Sequence, residues 1–311
     1  KAWEEGYMKH NPDVKIADNP GGSDAAIGVL QHGTAEVAVM GRELELNDYL
    51  GFFENKGYNP TEITIASGTY DTPGASWALL VFVNKDNPLA QLTMKQLDGI
   101  FGAERTGAYE GFVWKPENAR GAKDNVRTWG QLGLKGEWAD KEITPYGLNL
   151  RYSQSTTMSD WVLGGSDKWN EKIRFYANFV GAEGSSGSNM GFGRLKRGLN
   201  DDLAKDRYGI AYVGSPVGAN LPPECKLLEV SRTPDGPFYA YTIENLQSRK
   251  YPMHDEIYGY VDVDAQGAVD PKVREYLRFI VSREGQQCVQ RDGKYLPLTA
   301  EVCREMQAKL K

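Results

Sequence analysis

Metal-binding and redox residues are nearly absent from this chain. Its 311 residues include three cysteines, Cys225, Cys288 and Cys303, and three histidines, His10, His32 and His254. No Cys-x-x-Cys occurs and no histidine stands at zinc spacing, so the common structural zinc motifs are excluded and no metal or other cofactor is expected. Cys288 and Cys303 flank a short connection between two helical patterns. Two readings stand, a disulfide or two buried thiols, with Cys225 free in either. Long apolar runs are lacking too, and nothing approaches the ~18 residues that would cross a membrane. A basic excess is also missing: 36 Lys and Arg face 42 Asp and Glu, a formal net charge of −6. That argues against general nucleic-acid binding, which needs a basic footprint. It leaves room for one small anion, because a few focused donors outweigh a distant negative surface. Finally, the sequence opens without an initiator Met at Lys1-Ala2-Trp3-Glu4-Glu5-Gly6-Tyr7. Trp3 and Tyr7 share a helical face, which predicts a processed or truncated start and leaves export undecided.

What remains is an ordinary globular composition, 40% hydrophobic and 25% charged, in a chain long enough for two lobes. Residues 1–10 read as a helix, Val14–Ala17 as a strand, and the stretch from Ser23 with Ala25, Ala26, Ile27, Val29 and Leu30 as a helix closed by Gly33. A strand at Glu36–Met40 and a helix start near Leu46-Asn47-Asp48 follow. This rhythm predicts an α/β domain with a largely parallel sheet. Two apolar strands, Trp77–Val83 and the segment through Ile257–Val261, read as passages between lobes. The expected domains are 1–80 plus 255–311 and 81–254, joined by a two-strand hinge that permits closure around a ligand. Residues 92–101, 271–282 and 299–310 read as helices, and 208–213 as a strand. The aromatics of 109–138 read as packing rather than a stacking platform. Gly181–Asn189 lacks the Gly-Lys-Ser/Thr end of a P-loop and reads as a surface loop.

The most informative segment is 147–162, Gly-Leu-Asn-Leu-Arg-Tyr-Ser-Gln-Ser-Thr-Thr-Met-Ser-Asp-Trp-Val. It sets Arg151 and the hydroxyls of Ser153, Ser155, Thr156 and Thr157 at a helix start. Unpaired first-turn amides and a positive dipole end favour an anion there, and an arginine fork matches two oxygens of a phosphate-like group. The plainer reading is a capped helix with Arg151 paired to a surface carboxylate.

The turn Gly21-Gly22-Ser23-Asp24-Ala25-Ala26-Ile27, followed by Gly33 through Leu44, resembles the opening of periplasmic phosphate-binding proteins of the PstS type. Further blocks fit in order: Val83–Pro88 with Leu92–Phe101, Arg151–Thr157, Tyr208–Gly214, and Phe279–Gln286. The resemblance covers nearly the whole chain. It implies a two-lobed type II periplasmic binding-protein fold, α/β, with two mixed sheets flanked by helices. It further implies an exported, periplasmic or extracellular, monomeric receptor that holds an oxyanion between lobes and delivers it to an ABC permease. By position, Ser23 matches a hydroxyl ligand, Arg151 the ligand-facing arginine, Ser155, Thr156 and Thr157 the donor turn, and Arg42 the arginine of a Ser-Arg motif.

There are departures. The family's first strand and hydroxyl loop would precede Lys1. Gly41 and Ser153 stand where some members carry an aspartate, the acceptor that lets such a site reject sulfate. Thr156 replaces a glycine, and Met40 a small polar residue. Plainer readings also remain: Ser23 as a helix cap, Arg42 neutralising Glu43 or Glu45, and Asp24 compensating the helix dipole. Three functions follow: a phosphate or related oxyanion receptor, the same fold reused as a structural or signalling module, and a phosphatase. The last would need a nucleophile with a base, or a metal cluster, and the sequence shows neither near the donor motifs.

Overall fold

The computed structural model describes residues 1–18, 21–72, 75–76, 78–150, 152–176, 198–215, 221–263 and 267–310. The chain folds into two compact units. Unit 1 comprises Lys1–Trp77, Leu246–Ser248 and His254–Lys311, and unit 2 comprises Ala78–Asn245 and Arg249–Met253.

Unit 1 is built on a three-stranded sheet in the order β1 (Val37–Met40), β12 (Glu256–Val261), β2 (Thr61–Ser67). β12 runs antiparallel to both neighbours, pairing Tyr258 with Met40 on one side and Val261 with Thr61 on the other. The opening rhythm predicts a parallel sheet, and β1 and β2 do run the same way. A strand from late in the chain enters between them and makes this sheet antiparallel. Val14–Ala17, expected as a strand, joins no sheet, and Val14 is exposed.

One core cluster of unit 1 joins Ile63, Ile65 and Ile257 to Val273, Leu277 and Ile280 of α8 (Pro271–Ile280), Val289 of α9 (Arg283–Asp292), and Val302 and Met306 of α10 (Ala300–Lys309). Each such side chain contributes roughly 1.5–3 kcal/mol by leaving water. Asp270 accepts from the amides of Lys272 and Val273 with Pro271 at the first helical position, so α8 starts where the sequence says it must. α1 (Ala2–His10) lays Tyr7 edge-on against Tyr276 and Phe279. A second cluster joins Met40, Tyr258 and Tyr260 to Ile27 and Leu30 of α2 (Ser23–Gln31) and Phe52 of α3 (Leu46–Lys56). All three cysteines are free thiols, and the Cys288 Sγ receives a hydrogen bond from Arg291 at 3.2 Å. The disulfide reading is thereby set aside.

Unit 2 holds a mixed five-stranded sheet in the order β10 (Cys225–Leu227), β3 (Leu79–Asn84), β9 (Gly209–Gly214), β7 (Thr144–Leu148), β8 (Arg174–Tyr176). β7 is parallel to β8 and β9, whereas β3 is antiparallel to β9 and β10. β3 and β9 are buried along their whole length, which is why they read as apolar runs. β4 (Gln91–Thr93) pairs with β11 (Glu229–Ser231), and β5 (Ala108–Glu110) with β6 (Val113–Lys115). Thr93 opens α4 (Met94–Phe101) in a capping box with Gln96. The other α-helices described with residues in this unit are α5 (Ser153–Val162), α6 (Leu199–Leu203) and α7 (Ile243–Gln247). Trp129 and Trp138 are buried and meet edge to face, a packing role, while Trp114 stays 40% exposed. Gly181–Asn189 and Arg151 lie outside the described residues.

Candidate oxyanion site

In unit 1, α2 follows Gly22, whose φ of 77° is a left-handed conformation that glycine adopts without strain. No side chain caps this helix; the Ala25 amide turns back on the Gly22 carbonyl at 3.3 Å, and the amides of Ser23 and Asp24 have no partner among the described residues. Ser23 is the first helical residue rather than the cap, and its Oγ accepts the N–H of Gly41 at 3.0 Å. The carbonyl of Gly41 in turn accepts the hydroxyl of Ser76 at 2.6 Å. Gly41, just beyond β1, is therefore held at both its N–H and its C=O by serine hydroxyls.

Arg42 is engaged elsewhere. Its guanidinium donates to Asp48 at 2.7 Å, to Asp24 at 3.1 Å and to the Glu43 carbonyl at 2.9 Å, with Glu45 at 3.9 Å. Burial by itself lowers its pKa, but the hydrogen bond and charge of Asp48, then Glu45 and Asp24, outweigh that and leave it raised. The cation is met by three carboxylates and ties α2 and α3 to the end of β1; its short carboxylate contacts are Asp48 and Asp24 rather than the expected Glu43 or Glu45. Asp24 stands in the first turn of α2, exposed, and serves Arg42. At the start of β12, Asp255 is buried. That burial, with Glu43 and Glu256 nearby, pushes its carboxyl well above the usual range despite the Glu256 amide it accepts.

In unit 2, β7 delivers the chain to α5, which begins at Ser153 with Tyr152 as an N-cap that offers no side-chain bond. The amides of Ser155 and Thr156 fold back on the Tyr152 carbonyl at 2.8 and 3.1 Å. The amides of Ser153 and Gln154 have no partner among the described residues. Ser153 is exposed, and Thr157 is half-buried with no hydrogen bond to its hydroxyl among the described residues. Four residues apart, these two share one helical face. Thr156 Oγ1 lies 3.5 Å from the Tyr152 carbonyl.

Ser155 points the other way. It is 1% exposed, donates to the Leu148 carbonyl at 3.0 Å, and shares a 2.8 Å hydrogen bond with Tyr212. Since its one proton goes to Leu148, the phenol donates to it. Burial pushes the Tyr212 hydroxyl up to about 12, so it stays protonated. A Cβ at Gly147 would come within 2.9 Å of that same hydroxyl. Both hydrogen bonds of Ser155 are thus spent inside unit 2. Ser155→Ala would strand a buried carbonyl and a buried phenol, and is expected to cost roughly 1–3 kcal/mol of stability. Thermal unfolding checks this, with Ser153→Ala as the control that should leave the transition in place.

The set of expected ligand residues is therefore divided. Ser23 and Ser76 flank Gly41, Ser153 and Thr157 sit at an uncapped helix start, Arg42 and Ser155 are occupied internally, and Arg151 is outside the described residues. Ser76 and Tyr212 escaped the sequence reading because each acts on a residue far away in the chain. Among the described residues no group of histidine, cysteine or carboxylate side chains could hold a metal ion. The arrangement can donate hydrogen bonds to an anion.

A family profile described as PBP superfamily domain matches residues 1–284, and the chain belongs to that family of binding proteins. It is 29% identical over 303 residues to the phosphate-binding protein PstS of Pseudomonas aeruginosa strain PAO1, covering 97% of this chain and 80% of that protein. Among solved structures it is similar to PstS from Borrelia burgdorferi, at 17% identity and a TM-score of 0.59, covering 96% of this chain and 93% of that one. It is also similar to an ABC-type phosphate transport receptor from Vibrio cholerae, at 16% identity and a TM-score of 0.53, covering 94% and 93%. The α/β fold is that of the type II periplasmic binding proteins. No described helix is long and apolar enough to cross a membrane.

Proposed function

We propose that this chain is an exported solute-binding protein that takes inorganic phosphate and delivers it to an ABC permease. Taken by itself, unit 1 offers oxyanion donors at the Ser23 start of α2, and unit 2, taken by itself, offers them at Ser153 and Thr157 on α5. The observation that supports this most is the beginning of α5, next to Arg151 in sequence, where two backbone amides and the hydroxyls of Ser153 and Thr157 have no partner among the described residues. A helix start of that kind is a ready site for a phosphate-like group. The 29% identity to a phosphate-binding protein over almost the whole chain supports the choice of ligand.

Titration calorimetry with phosphate, sulfate, molybdate and an organic phosphate tests the reading. Phosphate is expected to bind one per chain, and absence of heat and of thermal shift with every one of these anions would overturn it. Arg151→Ala is expected to weaken phosphate by more than ~2 kcal/mol, the scale of a charge-assisted bidentate contact. An unchanged affinity would remove Arg151 from the site.

A further inference from the structure

We propose that Ser76 is the residue by which unit 1 tells a protonated oxyanion from an unprotonated one, an inference that rests on the phosphate reading above. A serine hydroxyl owns one proton and two lone pairs. At Ser76 the proton is committed, because the hydroxyl donates to the Gly41 carbonyl at 2.6 Å. Toward a ligand this oxygen can only accept. At Ser23 the situation is reversed: the oxygen already accepts the Gly41 amide at 3.0 Å, and its proton remains to be given. One residue, Gly41, through its N–H and its C=O, thus turns two chemically identical side chains into a donor and an acceptor. Hydrogen phosphate offers that same pair of functions, charged oxygens that accept and a P–OH that donates. Sulfate at neutral pH has no proton to give, so an acceptor facing it repels it.

The geometry shows that Ser76 is placed rather than incidental. A Cβ built on Gly41 would overlap the Ser76 Oγ, while the Cβ of Ser76 would stand 3.4 Å from it and the Ser23 Oγ 3.9 Å. Ser76 fills the volume that a side chain at position 41 would take, and the glycine is what admits it. The Ser76 carbonyl also accepts the Thr69 amide at 2.8 Å, so the serine is held by its backbone as well as by its hydroxyl. The acceptor that position 41 does not carry is supplied from across a loop.

Calorimetry on the full chain with phosphate, arsenate and sulfate tests this, because the first two carry a proton at neutral pH and the third does not. Wild type is expected to prefer phosphate and arsenate to sulfate. Ser76→Ala is expected to lose roughly tenfold of that preference by weakening phosphate and arsenate while leaving sulfate unchanged or tighter, the scale of one hydrogen bond to a charged ligand. Gly41→Ala, which displaces the Ser76 hydroxyl, is expected to show the same loss. The double variant Gly41→Ser with Ser76→Ala, which returns a hydroxyl to the same volume from the other side, is expected to recover the preference. An unchanged ratio in Ser76→Ala, or a loss shared equally by sulfate, would overturn the assignment. Equal affinity of wild type for all three anions would do the same while leaving oxyanion binding in place. Wild type binding none of them would overturn the phosphate reading itself, before any variant is made.

Discussion

Gly285→Ala is expected to cost about 3 kcal/mol or more of stability, seen as a lower urea midpoint at unchanged slope. A Cβ at this position, in the first turn of α9, would overlap the carbonyl oxygens of Phe279 and Ile280 and stand 2.7 Å from the Ile280 carbonyl carbon. These are backbone atoms at the end of α8, so relief requires one helix to move against the other. The carbonyl of Gly285 also accepts the Trp3 indole at 3.0 Å, which brings α1 into the same junction. Gln286 beside it is buried with its amide fully used: its nitrogen donates to Ile65 and Ile280, and its oxygen accepts from Leu298. The block Phe279–Gln286, one of those that carry the family resemblance, is thus a packing joint of unit 1. A variant with an unaltered midpoint would show that α8 and α9 can separate without penalty.

Asp98→Ala in unit 2 is expected to cost about 3–5 kcal/mol, because it leaves arginine charge buried and uncompensated. Asp98 takes both guanidinium nitrogens of Arg105 at 2.7 and 2.8 Å, and the Arg120 Nε lies at 3.6 Å. The Arg105 and Arg120 side chains are 9% and 6% exposed. Arg120 retains the carbonyls of Ala103, Gly99 and Asp124 and the amide oxygen of Asn125, whereas Arg105 loses both its side-chain hydrogen bonds. The double variant Asp98→Ala with Arg105→Met should therefore recover much of the loss, since removing both charges is far cheaper than removing one. A simple sum of the two single effects in thermal or chemical unfolding would show that the pair is not coupled.

Much of the fold is legible in local sequence. The apolar positions of 92–101, Leu92, Leu97, Ile100 and Phe101, are all buried, and Thr93 with Gln96 marks the start of α4. β3 and β9 declare themselves as unbroken apolar runs because both faces are covered. α9 was harder to see. It contributes Gly285, Gln286, Cys288 and Val289 to the interior, and two of these carry no apolar signal. The spacing of Cys288 and Cys303 says nothing about where their Cβ atoms point, and a disulfide requires that direction as well as proximity. The order of strands in unit 1 was out of reach for a similar reason, since β12 comes from the far end of the chain.

What the sequence by itself determined is the family-like order of motifs and two helix starts, one with a single hydroxyl at Ser23 and one rich in hydroxyls from Ser153. Those follow from local rules, glycine at a left-handed turn and serine and threonine where backbone donors are unpaired. Only the tertiary structure decided which of those hydroxyls remain available. Ser153 faces outward and Ser155 inward because each helical step turns the side chain by about 100°, and Leu148 and Tyr212 wait on the inner side. Arg42 is claimed by three carboxylates, two of them on α2 and α3, and Ser76 reaches Gly41 from 35 positions away. Hydrogen-bond capacity is a property of a residue, whereas its use is set by whatever neighbour folding brings within 3 Å.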